Sequence, residues 1–546
     1  MRNIKRCIEI AYNSNRNHMI IYILLTILNG IFSGISIFSL QNLVNVIQVS
    51  YQNDNSMIIP VGKFLIINIA FILISLLQQY SYSILSFSMD KYLCVVFAEN
   101  CNELSVKDFE NEEVYNKIGQ INRFGKDKVV EIFFNIVQFI ESVIAIITIS
   151  GIIFSSSNNS WVIIILIPII NFLINIRFGK YIYNIENDNI VLYRKQEYCN
   201  YLISNNIACK ERIFYNFGES LIKKLDQVTD AIILKNKKIT VLTLLINSIF
   251  NIIELIAKVY LILVESISVF TNDGLLGSIL AYIYSLDIVM QKTNLLLGNM
   301  LLIISNRLYV ETFFGLIDKN NTNNKKTDDL RKINKINQIE LKNISYSYDG
   351  NKNVLSNINI KFDHNGLYII KGGNGRGKST LLKLLCGLYF DYTGEIRVNG
   401  LNISSYSLLE YRARIGVVFQ DFNRYETSVK ANIALNKMNE TDCVLKIKKL
   451  LNSKGIKIKD INPNTILGNW FGGKELSGGE WQKIAFLRSL YNENDILIAD
   501  EPTSNLDFQS KQKLVEFFIE ESKKKIIILA THDDIFDTIE HIPIVI

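Results

Sequence analysis

The sequence predicts a membrane all-α domain of six helices followed by a soluble α/β domain of the phosphate-loop class. Three observations predict it. Six long apolar stretches fill the chain up to about residue 305. Beyond that point the composition turns to that of a soluble α/β protein. A glycine-rich loop ending in Gly377-Lys378-Ser379 then sits between a strand-like and a helix-like run. A length of 546 residues suits two large units. The hydrophobic share of 49% and the mean hydropathy of +0.19 are high for a wholly soluble chain.

A helix needs about 20 apolar residues to cross the hydrocarbon core. The stretches 19–47, 58–87, 132–154, 161–176, 241–267 and 275–304 meet or approach that length. The fourth is short and contains Pro168, which membrane helices tolerate where neighbours satisfy the freed backbone groups. The first run is too long for a cleaved secretory signal.

Charge sets the orientation. The formal charge is +6, and the basic residues gather on one side of the apolar runs. Arg2, Lys5, Arg6 and Arg16 precede the first run; Lys91, Lys107, Lys117, Arg123, Lys126 and Lys128 follow the second. Arg177, Lys180, Arg194, Lys195, Lys210, Arg212 and further lysines follow the fourth. The three short loops hold Asp54, Glu265 and Asp273, with Lys63 at a helix start. Positive-inside reasoning places both termini and both long loops in the cytoplasm of a multi-pass cytoplasmic-membrane protein. The charge is thereby explained by the bilayer, and no nucleic-acid partner is expected. The seven cysteines have no metal-ligand spacing and are expected as free thiols.

The long loops contain helical stretches that continue the spans, 89–104 and 184–206, each closed by an aromatic-rich turn. Those turns, 109–115 and 214–219, are expected to dock on the soluble domain. The polar segment 319–335 reads as a solvated connector between a membrane domain, 1–318, and a soluble domain, 336–546.

Gly372-Gly373-Asn374-Gly375-Arg376-Gly377-Lys378-Ser379-Thr380 fits G-x-x-x-x-G-K-[ST] and opens a helical run after an apolar strand. Glycines let backbone N–H groups turn toward phosphates, and the helix N-terminus adds positive potential. Lys378 is expected on the β/γ-phosphates and Ser379 on Mg²⁺. A chance glycine-rich turn does not account for the full pattern in that context. Ile496-Leu497-Ile498-Ala499-Asp500-Glu501 is an apolar strand ending in two acids. Ligands sit at the carboxyl ends of buried parallel strands. Asp500 is therefore expected to hold Mg²⁺, and Glu501 to act as general base on the attacking water.

With these residues in place, the chain resembles the ATP-binding cassette (ABC) family across nearly all of 337–546. Leu476-Ser477-Gly478-Gly479-Glu480 resembles its signature motif, with Glu480 where an amide is usual. The resemblance implies that Ser477, Gly478, Gly479 and Glu480 face ATP bound to a second subunit. It also implies that Gln420 touches Mg²⁺, that Asp507 belongs to the D-loop, and that His532 contacts the γ-phosphate. Tyr348 matches the aromatic that stacks on adenine, with Tyr346 as its rival. Glu480 is expected to place its acid at a nucleotide edge. Arg376 replaces a usually small residue and adds positive charge near the phosphates.

Six spans before one cassette resemble a half-transporter of the type IV exporter fold. The implied assembly is two copies, or one copy with a homologous half-transporter, closing around two ATP molecules. The segment 465–473 and Glu480-Trp481-Gln482-Lys483 resemble exporters of lanthipeptides and other ribosomal peptides. A peptide or similar amphipathic compound is the expected cargo, with a lipid or multidrug exporter as the alternative. The short head before His18 leaves no room for a leader-cleaving protease, and a leader is expected to be removed elsewhere. Glu254, Lys258, Asp287, Lys292 and Glu141 lie inside spans. They read equally as structural groups, paired between helices or snorkelling to the surface, and as cavity-lining groups; Glu254 and Lys258, at i, i+4, are placed to pair on one helix face.

Overall fold

The computed structural model describes residues 2–53, 58–154, 162–271, 275–323, 331–348, 350–373, 375–451, 458, 460–504 and 506–546. The chain divides into two units. The first comprises Met1–Leu104 and Glu112–Asn321, and the second Ser105–Asn111 and Thr322–Ile546.

The first unit is helical. Its long helices are α1 (Arg2–Asn53), α2 (Ile58–Asn102), α5 (Lys126–Phe154), α6 (Val162–Ser204), α8 (Gly218–Thr271) and α9 (Leu276–Asn323). The short α4 (Glu112–Gln120) and α7 (Asn206–Phe214) lie between them in the chain, as does α3 (Val106–Glu110), which belongs to the second unit. Among the described residues five helices are long and apolar enough to cross a membrane. The fourth expected span lies on α6, whose apolar stretch, Ile165–Arg177, is shorter than the others. Trp161 and the loop residues Asp54 and Asp273 lie outside the described residues. Pro168 sits inside α6 without ending it. At about 1.5 Å per residue, the 45 residues of α2 reach roughly twice the ~30 Å hydrocarbon core. The extension beyond the apolar run, expected for 89–104, is thus continuous helix as far as Asn102, and α6 likewise runs unbroken to Ser204.

Two local features shape this unit. The helix breaks at Asn15 (φ −161°, ψ 87°), and the Asn15 Oδ1 accepts from the His18 N–H at 3.2 Å. The apolar span therefore restarts behind its own cap. Further along α1, Gly30 and Gly34 form a small-x-x-x-small face against α5. A Cβ at Gly34 would stand 3.0 Å from the Thr148 side chain, and one at Gly30 would stand 3.1 Å from the Glu141 carbonyl oxygen. In a bilayer, close packing of this kind drives helix association. Gly34→Leu is expected to destabilise the protein by about 1–3 kcal/mol through overpacking, read as a lower melting temperature in detergent. An unchanged melting temperature would contradict the tight α1–α5 contact.

The second unit holds two sheets. β1 (Ile339–Tyr346), β2 (Leu355–Phe362), β4 (Thr393–Val398) and β5 (Leu401–Asn402) form an antiparallel sheet in the order β2-β1-β4-β5. β3 (Gly366–Lys371), β6 (Ile415–Val418), β7 (Ile496–Asp500), β8 (Ile526–Ala530) and β9 (Ile542–Val545) form a parallel sheet in the order β6-β7-β8-β3-β9. Helices α10 (Lys378–Leu385), α11 (Leu408–Ala413), α12 (Val429–Ala434), α13 (Cys443–Leu451), α14 (Gly478–Leu490) and α15 (Phe508–Ser522) complete the unit. Every residue of β7 and β8 is buried. Successive strand residues point to opposite faces. Leu497, Ala499, Ile527 and Leu529 join one core with Trp481, Phe486 and Phe518. Ile496, Ile498, Ile526 and Ile528 join the other with Leu381, Leu385 and Tyr389. A sheet buried on both faces requires this unbroken apolar run.

The expected connector 319–335 is shorter than its composition suggested. Helix α9 takes up its first residues, to Asn323, while 324–330 lie outside the described residues. Ile333 is buried in the second unit's core beside Ile336, because these two apolar side chains gain more from burial than from solvation.

Candidate active site

Four neighbouring parallel strands deliver the motif residues to one edge of the sheet. β3 leads into the glycine loop and α10, β7 ends in Asp500 with Glu501 next, His532 lies two residues past β8, and Gln420 two past β6. All are carboxyl ends of parallel strands, where ligands bind in open α/β sheets.

The loop turns through left-handed glycines. Gly377 (φ +89°) caps α10, and a Cβ there would meet Leu355 Cδ2 at 2.7 Å. Gly375 is also left-handed (φ +77°). Asn374 lies outside the described residues. The Arg376 side chain is exposed on the loop. The buried Lys378 ammonium donates to the carbonyl oxygens of Gly372 (2.8 Å) and Gly373 (3.3 Å). It also meets His532 Nε2 at 2.6 Å, a contact in which Nε2 is the acceptor. Lys378 and His532, 154 residues apart, thus share one point.

Asp500 is buried, and burial pushes its carboxyl above the usual range, opposed by a hydrogen bond from Ser379 and by Lys378. Asp421, next to Gln420, adds negative charge there. A buried anion bonded to a serine hydroxyl, with further negative charge beside it, fits a hard divalent cation. Glu501 has φ +46°, a conformation that side chains other than glycine rarely adopt. Burial pushes its carboxyl up too; His532 opposes this and Asp500 adds to it. Strain of this kind, of order 1–3 kcal/mol, persists where surrounding structure holds it and concentrates at functional sites. Gln420 and Asp507 are exposed. A hydrogen bond from Ser510 holds the Asp507 carboxyl below its usual range.

Tyr348 and Tyr346 separate clearly. Tyr346 is 2% exposed and packs in the core, whereas Tyr348 is 38% exposed. The Tyr348 hydroxyl lies 3.0 Å from Thr380 Oγ1, at the start of α10. Only the Tyr348 ring offers a surface to a flat ligand. Tyr389 stands edge-on to Tyr348, with ring centroids 5.8 Å apart.

Tyr389 also connects to the first turn. Its hydroxyl donates to Glu110 Oε1 at 2.6 Å, and Lys107 pairs with Asp391. Burial and the Glu110 carboxylate both raise the Tyr389 phenol well above its usual range. Val106 packs against the same core. The turn is anchored by Val106, Lys107 and Glu110 rather than by the aromatic Phe109, which is 46% exposed. The second turn is exposed, Phe214 by 82% and Tyr215 by 72%.

The signature differs from expectation at Glu480. Its carboxylate turns back on Ser477, accepting from the backbone N–H (2.9 Å) and from the hydroxyl (3.0 Å). The Glu480 N–H in turn donates to Ser477 Oγ at 3.3 Å. This is a capping box on α14, and satisfying the free N–H groups of a helix start explains why the acid turns back on Ser477. Ser477, Gly478 and Gly479 form the start of that helix.

The membrane charges pair between helices, not along one. Lys258 pairs with Asp287 of α9, and Lys292 with Glu141 of α5 at 2.6 Å. Glu254 accepts instead from Asn294 Nδ2 at 3.2 Å. Interhelical pairs win over the i, i+4 pair because they neutralise charge on two helices at once in a medium without water. Of the five residues weighed as cavity-lining groups, Lys292 and Glu141 line one. That cavity, about 390 Å³, is also lined by Tyr22, Gln78, Tyr82 and Asn299.

Comparison with known proteins agrees with this geometry. A family model described as ABC transporter matches residues 355–504. A putative ABC transporter ATP-binding protein of Caldanaerobacter subterraneus subsp. tengcongensis is 36% identical over 36% of this chain and 81% of its own length. The chain belongs to the ABC transporter family. This ABC transporter is also similar over its whole length to the subtilin transport ATP-binding protein SpaT of Bacillus subtilis. The two are 26% identical over 97% of this chain and 88% of SpaT. A solved bacterial Atm1-family ABC exporter with ATP bound shares the fold. Its TM-score is 0.74 at 16% identity, covering 97% of this chain and 93% of the other. The protein is therefore a multi-pass membrane ATPase with the ABC exporter fold.

Sequence reasoning gave no role to Gln482, Asp421 or Tyr389. Gln482 entered only as part of the segment Glu480–Lys483, and its polar side chain inside the buried stripe of α14 was the available signal.

Proposed function

We propose that two copies of this ABC transporter export a ribosomally made peptide or similar amphipathic compound across the cytoplasmic membrane. The carrying observation is the convergence of Lys378, Ser379, Asp500, Glu501 and His532 on one sheet edge, in a chain similar end to end to a subtilin transporter. The cavity supports an amide-bearing cargo, since its charges compensate one another and its remaining polar groups are amides, phenols and serine hydroxyls, all neutral hydrogen-bonding groups.

In this reading 1–318 is the membrane domain, 319–335 the connector and 336–546 the cassette, with both termini in the cytoplasm. Tyr348 stacks on adenine. The backbone of 372–380 cradles the phosphates, and Lys378 moves from its own loop carbonyls to the γ-phosphate. Ser379, Gln420 and Asp500 hold Mg²⁺, which neutralises phosphate charge when bound. The partner copy presents Ser477, Gly478 and Gly479 to close the site, while Asp507 faces the shared boundary. Glu501 takes a proton from water as the water oxygen attacks the γ-phosphorus. The bond from that phosphorus to the β–γ bridging oxygen breaks, and ADP leaves with the oxygen. His532 donates to the γ-phosphate. Ser105–Asn111 is joined directly to α2 and α4, and its anchoring at Tyr389 and Asp391 supports transmission of cassette movement along the chain. ATP favours the closed pair and hydrolysis releases it.

The purified chain alone, reconstituted in inside-out vesicles, is expected to accumulate a lanthionine-containing peptide when ATP is added. Uptake of a fluorescent phospholipid or a drug dye with no peptide uptake would overturn the cargo. Uptake that requires a second, different half-transporter would overturn the homodimer.

A further inference from the structure

Helix α14 begins at the signature: Ser477 is its N-cap, and Gly478 and Gly479 form its first turn. Five residues beyond Ser477, Gln482 is 2% exposed. Its Nε2 donates to the Pro502 carbonyl oxygen at 2.8 Å and reaches the Glu501 carbonyl oxygen at 3.4 Å. Two carbonyl acceptors establish which end of the amide is nitrogen. The opposite atom, Oε1, is buried without a partner. Those two carbonyls belong to the turn in which Glu501 is left-handed (φ +46°). On its other side the same turn is held by the Glu501 N–H, which donates to the Ala530 carbonyl oxygen at 2.8 Å.

We propose that Gln482 is a positioning residue that ties the seating of the signature on one nucleotide to the aim of Glu501 at the other. The inference rests on the two-copy reading above. A helical segment from Ser477 to Gln482 is about 7.5 Å long and moves as a rod. When Ser477, Gly478 and Gly479 meet the nucleotide held by the partner copy, α14 shifts as a unit. Its amide then moves the Glu501–Pro502 backbone, and the Glu501 carboxylate moves with it toward the nucleotide of its own chain. Completion of one ATP site therefore arms the base of the other. Glutamine suits the task because it offers two N–H groups on a long stem without burying a charge. Its polar contacts go to Glu501 and Pro502 rather than to the phosphate loop, so the device acts on turnover and not on nucleotide affinity.

The test uses the full-length reconstituted transporter. Gln482→Met keeps the length and removes both donors; Gln482→Glu sets an oxygen against two carbonyl oxygens. Both variants are expected to lower kcat by about tenfold or more. The KM for ATP should stay within about twofold, and the Hill coefficient for ATP should fall to about one. Combined with Glu501→Gln, Gln482→Met is expected still to form the ATP-trapped dimer on size exclusion. Wild-type kcat and cooperativity in Gln482→Met overturn the proposal. So does loss of trapping in the double variant, because the amide would then be holding the whole cassette. Failure of Glu501→Gln alone to trap a dimer sinks the two-copy reading, and the coupling between sites falls with it.

Discussion

Glu501→Gln is expected to lower ATP turnover by about 10²–10⁴-fold, the range a positioned general base supplies, while leaving ATP binding intact. The substitution keeps size and shape and removes only the ability to take a proton. The left-handed backbone at 501 is unaffected, because its hydrogen bonds run through main-chain atoms. Phosphate release, together with binding of a fluorescent ATP analogue, checks both halves. Unchanged hydrolysis would remove Glu501 from the role of base. The same residue sets a pH dependence. Burial and the neighbouring Asp500 raise its pKa, and this outweighs the lowering by His532 and Lys378. A base works only when ionised, so turnover should fall on the acid side, beginning at a higher pH than for an ordinary glutamate. That acid limb should vanish in Glu501→Gln. A profile identical in both proteins would assign the limb to another group.

Lys378→Ala is expected to weaken ATP binding by about ten- to a hundredfold. Hydrogen bonds to charged groups contribute about 1.5–3 kcal/mol, and each 1.4 kcal/mol is a factor of ten. The variant also loses the contacts of the ammonium with Gly372, Gly373 and His532, so the free loop loses some order. Titration of the purified protein with the fluorescent analogue gives the constant directly. Wild-type affinity would show that Lys378 serves its own loop and His532 rather than phosphate.

Much of the site was legible because its parts are contiguous. The glycine loop must pass from strand to helix within nine residues, and a buried parallel strand must be apolar until its acidic end. Those constraints are local, so the strand–loop–helix around 372–380 and the buried strand that ends at Asp500 were legible without any tertiary information. The helical extension of α2 was legible for a similar reason, since helical periodicity persists past the apolar run. The choice between Tyr346 and Tyr348 was not legible, because both fit the motif and only burial separates them. The charges of α8 and α9 left the same kind of choice open: an i, i+4 spacing is visible in one helix, whereas the partner that wins lies on another.

Sequence by itself determined the class of the protein, its order of apolar helices before the ATP-binding domain and the place of its glycine loop, because hydrophobic run length and backbone turning are properties of short segments. Tertiary structure alone decided that Gln482 grips the turn of Glu501 and that Lys378 meets His532. Both are bonds between groups whose distance in the chain says nothing of their distance in space. Burial then makes the bond binding, since a polar group removed from water must find a partner wherever the fold has brought one.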